Sequence, residues 1–186
     1  MRDYDSITDL AASFKDGLDN GSGIQEIAYF IPRSWLTTIA APDPAGTTAA
    51  SLVEISGNHV LAAGKSPIRM EPLFDKSGLT GESVGEVLSS VFQTGAEFFF
   101  PQLSATVLGT AGAIKNYRGL ILLKRMAGGD WIQIGSEEIL AKPIAGGAFG
   151  TGQGPTGEPG IRVNFQAHGN MPYYIYKGEL PAPAGP

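Results

Sequence analysis

The sequence predicts a mainly β fold, an antiparallel β-sandwich or barrel-like domain carrying one internal α-helix at about 102–116. Three observations point there. Short runs of β-branched and aromatic residues alternate with turn residues along most of the chain. Glycine (26) and proline (13) are abundant for a chain of 186 residues, as a fold with many turns requires. One internal stretch carries an apolar repeat at helical spacing, Leu103, Val107, Ala111 and Ile114, so that one stripe can lie on a sheet.

The elements follow in order. Ser6 with Asp9 makes a capping pattern, and Ile7, Leu10, Ala11, Phe14 and Leu18 share a face of a short helix over 6–18. Asn20-Gly-Ser-Gly23 ends it. A helix packed on its own domain and a docking arm for a neighbour are both open readings of this segment. Ile24 to Ile31 reads as a first strand, and Trp35 to Ile39 continues it after Pro32. A loop rich in Pro, Gly, Ala and Thr runs from Ala40 to about Ala50. Residues 51–55 and 59–63 read as a hairpin around Gly57-Asn58, and Pro67 to Phe74 as a short strand.

Asp75 to Gly78 reads as a polar turn. Gly85 to Phe100 reads as a long strand, with Gly95 marking a bulge or bend. After the helix, Arg118 to Arg125 is a buried strand, and the turn 127–130 leads into the strand Trp131 to Gly135. Glu138 to Ile144 is a short strand and 146–160 a Gly-rich loop. Ile161 to Ala167 alternates apolar and polar as a half-buried strand does, and Tyr173 to Tyr176 forms the last strand. The total is about nine to eleven strands in one domain, 24–178. It is preceded by an N-terminal segment, 1–23, and followed by a Pro/Ala-rich tail, 179–186.

Composition narrows the function classes. The absence of cysteine removes disulfides, thiolate nucleophiles and cysteine-ligated metals. The net charge of −5, with no basic run, disfavours a protein that reads nucleic-acid sequence. Charges at Arg2, Asp3 and Asp5 stand where a signal peptide needs an apolar core, and no apolar run approaches membrane-spanning length. A soluble chain with no membrane partner is expected.

Several motifs resemble catalytic ones. Gly81-Glu-Ser83-Val-Gly85 fits the nucleophile-elbow pattern, with Asp130 and His168 following in triad order. The mechanism needs a strand entering and a helix leaving, whereas here a polar turn enters and a strand leaves. Gly64-Lys65-Ser66 lacks the earlier glycine of a phosphate loop, since His59 stands there. Gly152 to Gly157 fits G-x-G-x-x-G, but Pro155 removes an amide donor and no helix follows. His59 and His168 are expected to be ordinary polar side chains rather than bases or metal ligands. Glu82, Glu86 and Glu97 either line one polar surface together or sit on a solvated sheet face.

The order of a long strand to Pro101, a helix at 102–116, a hairpin at 118–135, a loop around Thr151-Gly152 and Thr156-Gly157, and the alternating strand 161–167 resembles the tail tube proteins of tailed bacteriophages. That family is related to the tube proteins of contractile injection systems. The likeness spans Gly85 to Tyr176, about half the chain. It implies a virion structural protein, a major tail tube subunit made in the host cytoplasm and built into the tail. Such subunits form stacked, hexameric rings whose lumen conducts DNA during ejection. The resemblance implies no catalysis, no cofactor and no metal. It implies as partners further copies of the chain, tape-measure, terminator and baseplate or tip proteins, and DNA in transient, non-specific passage. On this reading Glu86 and Glu97 face the lumen. Inter-ring or inter-subunit contacts come from Leu36, Thr37, Pro42 and Pro44 in the stacking loop, from Phe14, and from Thr151 and Pro155. A ligand- or carbohydrate-binding sandwich presenting Trp35, Trp131 and Tyr173 is the first alternative. A serine hydrolase using Ser83 is the second.

Overall fold

The computed structural model describes residues 23–101, 103–125, 129–144, 147–152 and 157–181. The helix expected at 6–18, Phe14, Pro155 and most of the C-terminal tail lie outside them. The fold is mainly β, with one α-helix and several antiparallel sheets.

The first half of the chain supplies β1 (Ile24–Pro32), β2 (Leu36–Thr38), β3 (Glu54–Ile55), β4 (Val60–Leu61), β5 (Ile68–Met70) and β6 (Gly78–Val84). Next come β7 (Val91–Phe100), the helix α1 (Ala105–Ile114), β8 (Gly119–Arg125) and β9 (Trp131–Ile134). The chain closes with β10 (Lys142–Pro143), β11 (Phe149–Gly150), β12 (Gly160–Gly169) and β13 (Tyr174–Tyr176).

The central sheet runs β3-β13-β9-β8-β1-β5, antiparallel except where β13 meets β3. Both of its faces are apolar, and β8 shows why. Ile121 and Leu123 pack with Ala28 and Phe30 in one core, while Leu120 and Leu122 pack with Ile31 and Leu61 in a second. A strand buried on both sides reads as an unbroken apolar run, which is the pattern of residues 119–123. Each fully buried Leu, Ile or Phe contributes about 1.5–3 kcal/mol, so these two layers dominate the stability.

The first core is closed by a second sheet, β10-β12-β7-β6, with β11 also pairing with β12. Ala96 and Phe98 of β7 and Phe165 and Ala167 of β12 point into it. Phe165 meets the Phe30 ring at 5.2 Å between centroids and Phe98 edge-on at 6.0 Å. The second core is closed by the small β2–β4 ladder and the loops around it. Helix α1 starts at Ser104, whose hydroxyl caps the Val107 amide at 3.3 Å. It rests Ile114 in the first core, with Val107 and Ala111 half-buried beside it.

Four expectations need correction. The hairpin around Gly57-Asn58 does not form: β3 pairs in parallel with β13, and β4 pairs with β2. Asn58 and His59 are bound instead to the chain's C-terminal end. The Asn58 side chain accepts the Glu179 amide at 3.0 Å, and the His59 amide donates to the Tyr176 hydroxyl at 3.2 Å. Gly78, expected in the polar turn, opens β6, which runs on through the unassigned residues 79–84 as an edge strand with little apolar content that ladder pairing with β7 holds in place. The long strand expected from Gly85 therefore begins at Val91, after an exposed connection over 85–90. Gly95 marks no bulge, since the register runs unbroken through it on both sides.

Candidate functional site

The outer face of the five-stranded sheet carries a row of polar side chains. Register decides its membership. Residues of β7 that alternate with the buried Ala96 and Phe98 point outward, namely Gln93, Gly95, Glu97 and Phe99. Opposite them on β12 stand His168, Gln166, Asn164 and Arg162, and on β6 Glu82 stands opposite Gln93. Strand β10 adds Lys142, opposite Gln166.

Hydrogen bonds tie this face together. Gln93 donates from Nε2 to Glu82 Oε1 at 3.1 Å, which leaves its Oε1 to accept from His168 Nε2 at 3.0 Å. His168 is thereby held as the tautomer protonated on Nε2. Further along, Arg162 pairs with Glu97 across the diagonal of the ladder. The guanidinium also lies 5.0 Å from the centre of the Phe99 ring, and the Lys76 ammonium lies 5.6 Å from it. Lys76 in turn pairs with Glu158. Because both carboxylates and cations here are substantially exposed, replacing Arg162 with alanine is expected to change stability by no more than about 1 kcal/mol in denaturant unfolding.

Glu97 lies on this face, but its charge is offset by Arg162. Glu86 sits beyond the end of the ladder in the exposed connection 85–90. Glu82, half-way along β6, is the acidic residue that register places beside Gln93 and His168. An alternating polar pattern made the β12 members legible in the sequence. The β6 member was hidden because the strand itself was missed.

The stacking-loop residues divide. Leu36 and Pro42 are buried, Leu36 in the second core. Thr37 is exposed and donates to the Val60 carbonyl at 3.1 Å, and Pro44 is exposed in the loop. Thr151 is exposed as well. Trp35 and Trp131 both pack on the second core, Trp131 edge-on to Tyr29 at 5.5 Å. Tyr173 lies elsewhere, beside β6 and β7 at the margin of the first core. The three aromatics do not make one platform.

The triad geometry fails on register. Ser83 is opposite Phe92, whereas His168 is opposite Gln93. Adjacent residues of β7 face opposite ways, so Ser83 and His168 lie on opposite faces of the sheet. Ser83 also stands within a strand rather than on a strand-to-helix turn.

His59 has a structural place that composition did not show. It is 3% exposed and stacks on the Tyr176 ring at 4.4 Å. Its Nδ1 accepts the Ala40 amide at 3.0 Å, so Nε2 carries the proton and donates to Gln133 Oε1 at 2.7 Å. Gln133 then donates to the Gly135 carbonyl at 3.0 Å. Burial lowers the His59 pKa below its ordinary value, and the Gln133 contact offsets only part of that. Burial raises the pKa of Tyr176, whose hydroxyl donates to the Glu179 carbonyl at 2.6 Å.

Among the described residues, no group of three or more His, Asp or Glu side chains is placed to hold a metal. No described helix is long and apolar enough to cross a membrane. Comparison with protein-family models, with curated proteins and with solved structures gives no match.

Proposed function

We propose that this chain is a structural subunit that assembles through its sheets, a major tail tube protein forming stacked, hexameric rings. One observation carries the reading. The five-stranded sheet joins a polar, hydrogen-bonded outer face to a seven-residue edge strand, β6, with no strand among the described residues paired on its far side. An edge of that length offers main-chain donors and acceptors to another copy, and ring closure satisfies every edge without leaving one exposed.

The face suits a lumen that DNA slides through. Its amides carry no charge, and its carboxylates accept hydrogen bonds but repel phosphate. Two of its cations, Arg162 and Lys76, are held by Glu97 and Glu158, so that Lys142 stands apart from them and no phosphate-binding row is formed. Affinity for DNA grows with each phosphate neutralised, so a surface of this kind has little grip on a passing duplex. The chain's net charge of −5 acts in the same direction. Tape-measure, terminator and baseplate or tip proteins would be the partners at the two ends of such a tube. DNA would pass transiently, in a virion assembled in the host cytoplasm.

Light scattering over a concentration series tests this. The expected result is a mass that climbs from the 19.4 kDa chain to six-subunit or larger species. A mass that stays at one chain throughout would count against it.

A further inference from the structure

The hairpin that joins β6 to β7 carries two apolar side chains at its tip. The Ser89 amide donates to the Glu86 carbonyl at 3.0 Å, which closes a four-residue turn with Val87 and Leu88 at its centre. Val87 is 90% exposed and Leu88 fully so. Leu88 also holds φ at +66°, the left-handed region that glycine adopts freely and a leucine does not. A bulky residue kept there against its backbone preference, with its side chain in water, argues for a contact made outside this chain. At the opposite end of the sandwich, where β7 ends, lies an open groove of about 440 Å³ between α1, β5 and the second sheet. Met70, Phe100, Val107, Ile114 and Val163 give it an apolar lining, and Arg69 stands at its wall.

We infer that the groove receives the Val87-Leu88 tip of a second copy of this chain. A chain cannot fill its own groove with its own tip, because the ten residues of β7 hold the two about 30 Å apart. Tip and groove match in chemistry. Two branched apolar side chains project from one, and the other is lined by apolar side chains that include the buried Met70 and Ile114. They match in charge as well. Glu86 is the one charged residue in 85–90, and the Arg69 guanidinium has donors beyond the Nη2 that binds Glu71 at 2.7 Å. Because tip and groove are different patches, each copy offers one of each, and the contact repeats head to tail. It adds copies along the strand direction of the second sheet, whereas pairing at the β6 edge adds them sideways.

The inference does not rest on the tube reading, and one experiment tests it in the full-length chain. The protein has no cysteine, so each introduced thiol is unique. A chain carrying Ser89→Cys, beside the tip, is mixed with one carrying Thr106→Cys, exposed on the groove wall, and treated with a short bismaleimide. The control replaces the second chain with one carrying Ser56→Cys, exposed beside β3 at the far edge of the central sheet from β5. The expected result on a denaturing gel is a linked dimer at least tenfold more abundant in the Thr106 mixture than in the control. Leu88→Gly, added to the Ser89→Cys chain, frees the backbone and removes the side chain. It should lower the yield to the control level while circular dichroism stays unchanged. Equal yields from the two mixtures, or a yield that Leu88→Gly leaves untouched, would overturn the docking. Linked dimers of the Ser89→Cys chain alone at the Thr106 yield would show tips meeting tips and overturn the head-to-tail contact. A chain that forms rings yet fails the linking test would overturn this contact and leave assembly through the β6 edge standing.

Discussion

Replacing Gly119 with alanine is expected to destabilise the fold by about 3 kcal/mol or more, seen as a fall of about 10 °C in melting temperature. Gly119 is pinned from two sides. It sits opposite Pro32 in the β1–β8 ladder, and it exchanges two 2.9 Å main-chain hydrogen bonds with Ala141. A Cβ at this position would fall on the Ile31 carbonyl oxygen, 2.7 Å from its carbon and 3.0 Å from the Pro32 Cα. All three are backbone atoms of a buried strand, so no side chain can swing away and the strands themselves must part. Gly109 is the contrasting case. It lies in α1 with nothing within 4 Å of its would-be Cβ, so alanine there should stabilise by about 0.5–1 kcal/mol through helix propensity. Equal effects at the two positions would contradict the packing described here.

Removing the His59 imidazole is the second large effect. His59→Ala leaves the Ala40 amide and the side-chain Oε1 of Gln133 without their His59 partner, and it opens a cavity against Tyr176. The expected cost is about 3 kcal/mol or more in denaturant unfolding. The same residue sets a pH dependence whose sign follows from its lowered pKa. The folded state keeps His59 neutral, because a proton on Nδ1 would face the Ala40 N–H. The unfolded chain takes up its proton near the ordinary value of 6.5. Below that pH the unfolded state binds more protons, so the stabilising contribution is complete above it. The contribution is lost as pH falls toward the folded-state value, at up to about 1.4 kcal/mol per pH unit for one proton. Unfolding curves of the native chain and of His59→Gln, compared between pH 7.5 and the onset of acid unfolding, should differ in slope by that one proton. Parallel curves would show that His59 is not buried neutral.

The two faces of β8 explain much of what was legible in the sequence. A strand covered on both sides must be apolar throughout, so Gly119 to Leu123 announces itself, and the alternation of Arg162, Asn164 and Gln166 announces a sheet with one polar face. Helix α1 was legible from Val107, Ala111 and Ile114, though it is shorter than the apolar repeat suggested. Strand β6 was not legible, because Gly-Leu-Thr-Gly-Glu-Ser-Val holds one large apolar side chain facing the core and owes its conformation to pairing with β7. The same gap hid Glu82, and with it the contact to Gln93 and His168. The supposed hairpin failed for a related reason. Pairing of β3 with β13 and the bonds from Asn58 and His59 to the C-terminal end join residues far apart in the chain, and local turn chemistry carries no trace of them.

Assembly is the central claim, and its most direct test is negative-stain electron microscopy of the purified chain across a concentration series. Hollow tubes or six-membered rings of uniform diameter are expected, with the β6 edge of each copy joined to a different edge of its neighbour. Isolated single chains at every concentration, with no rings or tubes, would contradict it.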